Sequence, residues 1–540
     1  MHARTSSVLM LLLALAPTLN GSQGSRGSSI GLDQQQPQPE LPRIYLDTRM
    51  PAMKGKSIVV PPAGDLQAAL NRAQPGDEIV LQAGATYAGS FVLPVKAGAT
   101  RLPGAGPVIT VRSSALASLP EGQRVAPGDT RFMARVLSVQ NETHVFGTAP
   151  GTAGWRLAGL EISAAPSVTF LQRFVRLGDG NSTQNTLAAI PQNLIIDRSY
   201  IHAGPALEVK HCVDLHSGAS AVVDSYIAGC KTKDNDAQAI IAYNGPGPYR
   251  IVNNYLEGSG ENVMIGGSTT SVPNQVPSDI EVKHNYFAKP LSWKKGEPNY
   301  DGSLWLMKNL FELKIGQRIL VEGNVFENSW ENAQAGFALL LKVNNSQKLP
   351  TTDVTVRYNI IRGAAGGVNV AGIDGPVQRV AIENNLFIDV GTPRWGNSSA
   401  LFQCIAVTDL SITHNTGFTK SMFLSLETGP IVRLIFRNNV VSHGDLGAKA
   451  PGKPVGLASL AAAAPDGLFS GNVLIGAPAP YEYPSNTYLS GRVESVGFTD
   501  TKTENFALTA ESPFAKKATD GTNPGVDFIA LMRAVAGAKP

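Results

Sequence analysis

Residues 319 to 328 read ILVEGNVFEN: an alternating apolar run, an Asn, then a second short apolar run. The same phrase recurs as IVNNYLEG (251 to 258), IEVKHNYFAK (280 to 289), VTVRYNIIRG (354 to 363), VAIENNLFID (380 to 389), LSITHNTGF (410 to 418), LIFRNNVVS (434 to 442) and LFSGNVLIG (468 to 476). Two earlier variants, LIIDRSYIHA (194 to 203) and VVDSYIAG (222 to 229), carry Ser in the Asn position. The spacing drifts over roughly 24 to 39 residues, as in a solenoid whose loops vary in length.

Inside each phrase the apolar positions alternate with period two, so one side of each strand is buried. Between phrases lies a second apolar segment: AIIAYN, NVMIGG, NLFELK, FALLLKV, GVNVAGI, ALFQCIAV or MFLSLE. Helical periodicity is almost absent. A buried Asn at one fixed place in every coil can bond its own backbone and the Asn above and below, satisfying amides that are costly to leave unpaired. The expectation is an all-β solenoid of parallel coils, a β-helix with an asparagine ladder.

Residues 65 to 94, DLQAALNRAQPGDEIVLQAGATYAGSFVLP, read as a short helix N-capped by Asp65, a Pro-Gly-Asp turn and then strands. This entry and the Asn phrases resemble the right-handed parallel β-helix of the pectate-lyase-like superfamily, through about residue 476. An open solenoid end needs covering. Residues 477 to 540, Pro- and Ala-rich with a helix expected over 527 to 536, are the expected C-terminal cap.

Of the 540 residues, 43% are hydrophobic and 16% charged, enough to bury a large core. The net charge of +3 and the lack of a Lys/Arg run leave no nucleic-acid footprint. No apolar run reaches the length of a membrane span. Arg4 precedes an apolar stretch over residues 8 to 16, so residues 1 to 22 read as a signal peptide for a secreted or periplasmic protein. Residues 23 to 43 read as a polar, disordered linker, residues 44 to 476 as the β-helix, and residues 477 to 540 as the cap of a monomer. Cys212 and Cys230 fall in successive coils; either they pair in an oxidising compartment or all three cysteines are buried thiols.

In NLFELK, if Phe311 and Leu313 face the core, then Lys308, Leu310, Glu312 and Lys314 project outward. In FALLLKV, Lys342 projects outward one rung later. The preceding rungs present Asn262 and Met264, with Glu261 just before them, and Asp236 and Gln238 before those. Trp293, Trp330 and Trp395 fall in loops beside this face, where they either stack on sugar rings or pack beneath their own loops.

The run GENVMIGGSTTSVPNQ, IEVKHNYF, ELKIGQRILVEGNVF, GFALLLKVNN and GGVNVAGI is similar in order and spacing to the alginate lyase and chondroitinase B family of β-helix polysaccharide lyases, over roughly residues 258 to 375. The resemblance implies Lys314 at the catalytic Lys position and Lys342 at that of a catalytic Arg. It also implies Glu261 and Glu312 at acidic positions that face a calcium ion. Lys342 cannot form the bidentate fork of an Arg, and the full acidic ligand set of the family is not found in the sequence. The implied reaction is β-elimination on an acidic, uronate-containing polysaccharide. Lys314 would be the base, its pKa lowered by nearby ammonium groups, with Lys308, Asp236, Gln238, Asn262 and the three tryptophans binding substrate.

Two alternatives stand beside this reading. A glycoside hydrolase would use Asp234 and Asp236 as its carboxylate pair, and a non-catalytic glycan-binding β-helix would use none of these groups chemically. His202, His211, His216 and His284 show no metal-ligand spacing and read as structural. No Gly-rich phosphate loop, nucleophile elbow or CxxC pair occurs.

Overall fold

The computed structural model describes residues 36 to 101, 106 to 396, 399 to 479 and 482 to 540. The expected signal peptide and most of the expected linker lie outside them. The chain winds as a right-handed parallel β-helix with three long sheets of 14, 12 and 14 strands, every pairing within them parallel. A typical coil runs through Gly316–Glu322 on the first sheet, Val325–Ser329 on the second and Phe337–Lys342 on the third. It then returns to the first sheet one rung later at Thr351–Arg357.

The Asn phrases lie at the corner between the first and second sheets. Ile280, Ile319, Val354, Val380 and Leu410 stand in register on successive rungs, all fully buried. Each such side chain adds about 1.5–3 kcal/mol of burial. At the corner one residue takes positive φ, such as Gly323 at 67° or Tyr358 at 52°, and the Asn follows. Asn324 shows the consequence. Its backbone N–H donates to Asn359 Oδ1 at 2.9 Å, while its Nδ2 donates to Val282 O at 2.8 Å and to Asn359 Oδ1 at 3.0 Å. Asn254, Asn285, Asn359, Asn385, Asn415, Asn439 and Asn472 continue the same stack. Ser225 extends it from the other side, its N–H donating to Asn254 Oδ1 at 3.0 Å.

Cys212 and Cys230 are joined, with Cα atoms 5.8 Å apart. Cys404 is a buried free thiol, pushed up to about 12 by burial.

Helix α1 (Leu66–Arg72), capped by Asp65 accepting from Ala68 N at 2.8 Å, lays Leu66, Ala69 and Leu70 into the main core near the first coils. Helix α2 (Leu457–Ala463) contributes Leu460 to the same core near Phe469 at the other end. Residues 477 to 540 were expected to cover that end, and most of them go elsewhere. After a last strand at Tyr488–Ser490 and an antiparallel pair, Phe498–Asp500 with Asn505–Leu508, the chain runs back along the flank. Gly525 N bonds Asn438 O, Val526 N bonds Thr416 Oγ1, Asp527 N bonds Asn384 Oδ1, and helix α3 (Phe528–Ala534) follows. His284 Nε2 then meets Ala536 O at 2.7 Å, and Arg124 Nη2 reaches Ala538 O at 2.7 Å. Leu531 and Val535 cover Tyr286, Val325 and Leu386, which a bare second sheet would expose.

A shorter strap lies on the first sheet. Arg43 N bonds Asp279 Oδ1 at 2.8 Å, and Leu46 packs with Ile195 and Ala221.

Candidate active site

The third sheet carries the polar groups. Its relevant strands are β1 (Phe170–Gly178), β2 (Glu208–His216), β3 (Gln238–Ala242), β4 (Glu261–Ile265), β5 (Phe311–Leu313), β6 (Phe337–Lys342) and β7 (Gly366–Ala371). In or just before five of these strands, two successive residues face inward: mid-strand in β1 and β2, and next to the turn into the sheet at β3, β5 and β6. Phe174 and Val175, Cys212 and Val213, Ala239 and Ile240, Leu310 and Phe311, and Ala338 and Leu339 all belong to the main core. Simple alternation fails there, and the outward positions become the residues either side of the inward pair, three apart.

Two columns follow from that pattern. Arg173, His211, Gln238 and Glu261 are in register, with Asn309 next in the same row. Arg176, Asp214, Ile241, Met264, Glu312, Leu340 and Asn369 form the second. Two sequence expectations are corrected by the same geometry. Leu310 is fully buried in the core rather than outward. Asn262 also turns inward, its Nδ2 donating to Leu256 O at 2.6 Å and Ala288 O at 2.8 Å, so it bridges two strands instead of meeting a substrate.

The columns converge on β4 and β5. Lys314 Nζ forms an ion pair with Glu312 and lies 3.5 Å from Met264 Sδ, with 7% of the residue exposed. Glu312, fully buried, accepts from Asn309 Nδ2 at 2.7 Å, and the same nitrogen donates to Gln334 Oε1 at 2.6 Å. Glu261, on the neighbouring rung, accepts from Gln238 Nε2 at 2.5 Å. Burial and then the charge of Glu312 push the Glu261 carboxyl up to about 8. Burial alone would lower the pKa of Lys314, but Glu312 and Glu261 outweigh it and raise it. The expected lowering by ammonium neighbours is therefore not what surrounds this amine: its nearest charges are negative.

The remaining candidates sit around this centre. Lys308 Nζ donates to Asp236 Oδ2 at 2.5 Å, closing one side. Lys342 follows Leu341, the rung partner of Leu313, and reaches Asp374 Oδ2 at 3.4 Å with its side chain 26% exposed. Asp234 is exposed, and its neighbour Asp236 pairs with Lys308.

Trp293, Trp330 and Trp395 are at least nine-tenths buried, packed with Trp305 and Met307 rather than presented as open platforms. Their edges border a cavity of about 580 Å3 rimmed by Lys294, Lys295 and Arg394. Met307, which lines it, donates its N–H to Asn332 Oδ1 at 3.2 Å.

Sequence reasoning missed Asn309 and Gln334, which read as ordinary loop polars. It also missed Lys289. This fully buried amine donates to the carbonyls of Gly258, Ser259 and Gly260 at 2.6, 3.0 and 2.8 Å, the turn leading into Glu261. Burial lowers its pKa to about 7 against the pull of Glu261 and Glu312. The histidines read as structural divide. His202 stacks on Tyr200 and meets Glu161, and His284 holds the C-terminal strap. His211 Nδ1 lies 2.6 Å from Asp214, which also pairs with Arg173 on the site sheet.

Among the described residues no group of three or more His, Cys, Asp or Glu side chains could hold a metal. The centre nevertheless contains Gln238 Oε1, Glu261 Oε1 and Asn309 Oδ1, all buried without a hydrogen-bond partner. Two carboxylates and these amide oxygens form an oxygen-only donor set, the chemistry a hard cation such as calcium accepts.

No protein-family model matches the chain, and no curated protein matches it. Among solved structures, a mannuronic acid specific polysaccharide family 6 lyase from human gut microbiota is 14% identical, with a TM-score of 0.48, covering 81% of this chain and 91% of its own. The PL6 family alginate lyase AlyGC is 13% identical, with a TM-score of 0.42, over 87% of this chain. This chain spans 58% of the length of AlyGC. Pectate lyase Pel9A is 14% identical, with a TM-score of 0.31, covering 86% of this chain and 92% of its own.

Proposed function

We propose that this chain is an exported polysaccharide lyase that cleaves uronate-containing glycans by β-elimination at the Glu261–Glu312–Lys314 centre. The observation that carries the reading is the meeting of two buried carboxylates and a nearly buried amine on the outward side of the third sheet. Acceptor oxygens there are left without partners. A sheet face that served only for solvation would pair its charges at the surface, where they cost little.

In this reading Lys314 Nζ takes the proton from C5 of the uronate. The C4–O bond then breaks, leaving a C4–C5 double bond, and the departing oxygen gains a proton. The Lys314 ion pair with Glu312 must open first, since only the neutral amine accepts a proton. Lys342, partly exposed and held only by the exposed Asp374, turns onto the substrate carboxylate. Lys308 and Asp236 border the sugar on the other side. Glu261 and Glu312 would hold a calcium ion if one binds, and that ion supplies positive charge to neutralise the substrate carboxylate. The Cys212–Cys230 disulfide is consistent with export to an oxidising compartment.

The test is ultraviolet absorbance of the unsaturated uronate during incubation with a panel of acidic polysaccharides, with and without calcium. The reading expects an increase that is lost in Lys314→Ala; no increase on any uronate polymer overturns it. One specific observation favours a second reading. The Glu261 carboxyl, pushed up to about 8 by burial and then by the charge of Glu312, suits the acid role in a glycoside hydrolase. New reducing ends without ultraviolet absorbance would establish that alternative.

A further inference from the structure

We propose that Arg173 and Arg176 form a carboxylate-binding subsite on the same face of the third sheet, four rungs from the Glu312–Lys314 centre. The proposal rests on the uronate reading above and adds the direction in which the polymer lies. From β1 to β5 the pairing order is β1, β2, β3, β4, β5, so the separation along the helix axis is roughly 19 Å at the usual strand spacing.

The outward row changes character over that distance. At β1 and β2 it presents Arg173 and His211; at β4 and in the row before β5 it presents Glu261 and Asn309. Arg173 commits its Nε to Asp214 at 2.6 Å, and Arg176 commits Nη1 to Asp179 at 3.1 Å. About a quarter of each side chain remains exposed, at 27% and 26%. Arg176 Nε is buried without a hydrogen-bond partner, and so is Nε2 of His144, which lies over Gly147 on the adjacent rung in register with Arg176. One end of this sheet face thus presents the partly exposed guanidiniums of Arg173 and Arg176, and the other holds buried acceptor oxygens without donors.

A guanidinium with free N–H groups is the side chain suited to grip a carboxylate by two parallel bonds. A polyuronate carries one carboxylate per sugar, so a chain lying along the axis brings a second carboxylate to these arginines while another is at Lys314. A polymer crossing the sheet at right angles does not.

The experiment measures affinity of the full chain for alginate- and polygalacturonate-derived oligouronates of graded length, in wild type, Arg176→Gln, Arg173→Gln and Arg173→Lys. Arg176→Gln leaves the Arg173–Asp214 pair in place and so guards against a folding defect. Wild-type affinity should climb until the oligomer reaches roughly five sugars, the number that spans four rungs. Each Gln variant should lose roughly tenfold for long oligomers and nothing for dimers, with Arg173→Lys intermediate. Long oligomers that bind both Gln variants as tightly as wild type overturn the subsite while leaving the lyase reading intact. Failure of every oligouronate to bind wild type overturns the uronate reading and the subsite with it.

Discussion

Lys314 carries the account at the level of single residues, and its surroundings set a pH rule. Glu312 and Glu261 raise its pKa, so the neutral amine becomes available only toward alkaline pH. Replacing Glu312 by Gln removes one of those charges. The Lys314 amine should then titrate at lower pH than in wild type, as read by NMR of the isotopically methylated protein; an unchanged or higher titration point would contradict the electrostatics. Lys314→Ala should lower the cleavage rate by roughly 100-fold or more, the usual worth of a positioned base. His216 gives a separate check. Burial holds it at about 4 against an ordinary 6.5, so the unfolded chain gains its proton first as pH falls. That contribution to stability is intact above 6.5 and is lost progressively toward 4. The melting temperature should fall across that window in wild type and fall less in His216→Phe. The outward placement of Lys314, Glu312 and Lys342 was legible because they fall where the sequence shows plain alternation. Asn262 and Leu310 were misread because two successive residues turn inward there, and no residue type marks the place.

At the scale of the element, the strands and their order were written in the Asn phrases, since each Asn must stand at the one corner where its amide can bond the next coil. Asn324 takes part in bonds to Asn285, Asn359 and Val282. Asn324→Ala leaves buried amides unpaired on two rungs and should cost about 3 kcal/mol in denaturant unfolding. A loss indistinguishable from that of an exposed asparagine would show that the stack is not what joins the coils. The Cys212–Cys230 bridge, whose ends are 18 positions apart, should contribute about 3 kcal/mol by restricting the unfolded chain. The loops were less legible. Trp293, Trp330 and Trp395 in loops beside one face left sugar stacking and packing beneath their loops equally open, and here the rings bury each other.

At the scale of the whole molecule, the β-helix is completed by segments that no repeat foretells. The last residues return along the second sheet, where Leu531, Val535 and Phe506 cover tyrosines and valines of the coils. A strap of this kind has no period of its own, so its course is set by the surface it covers. Truncation before residue 498 should expose that surface, raise binding of an apolar dye and lower the melting temperature. Oligouronate affinity should persist, because the candidate residues lie on the third sheet. The chemistry proposed for this sheet face is elimination rather than hydrolysis or binding alone. The direct measurement is mass spectrometry of the products from uronate polymers digested by wild type and Lys314→Ala. The account predicts wild-type oligomers lighter by one water than hydrolysis products and none from the variant; products of hydrolytic mass, or equal cleavage by Lys314→Ala, would contradict it.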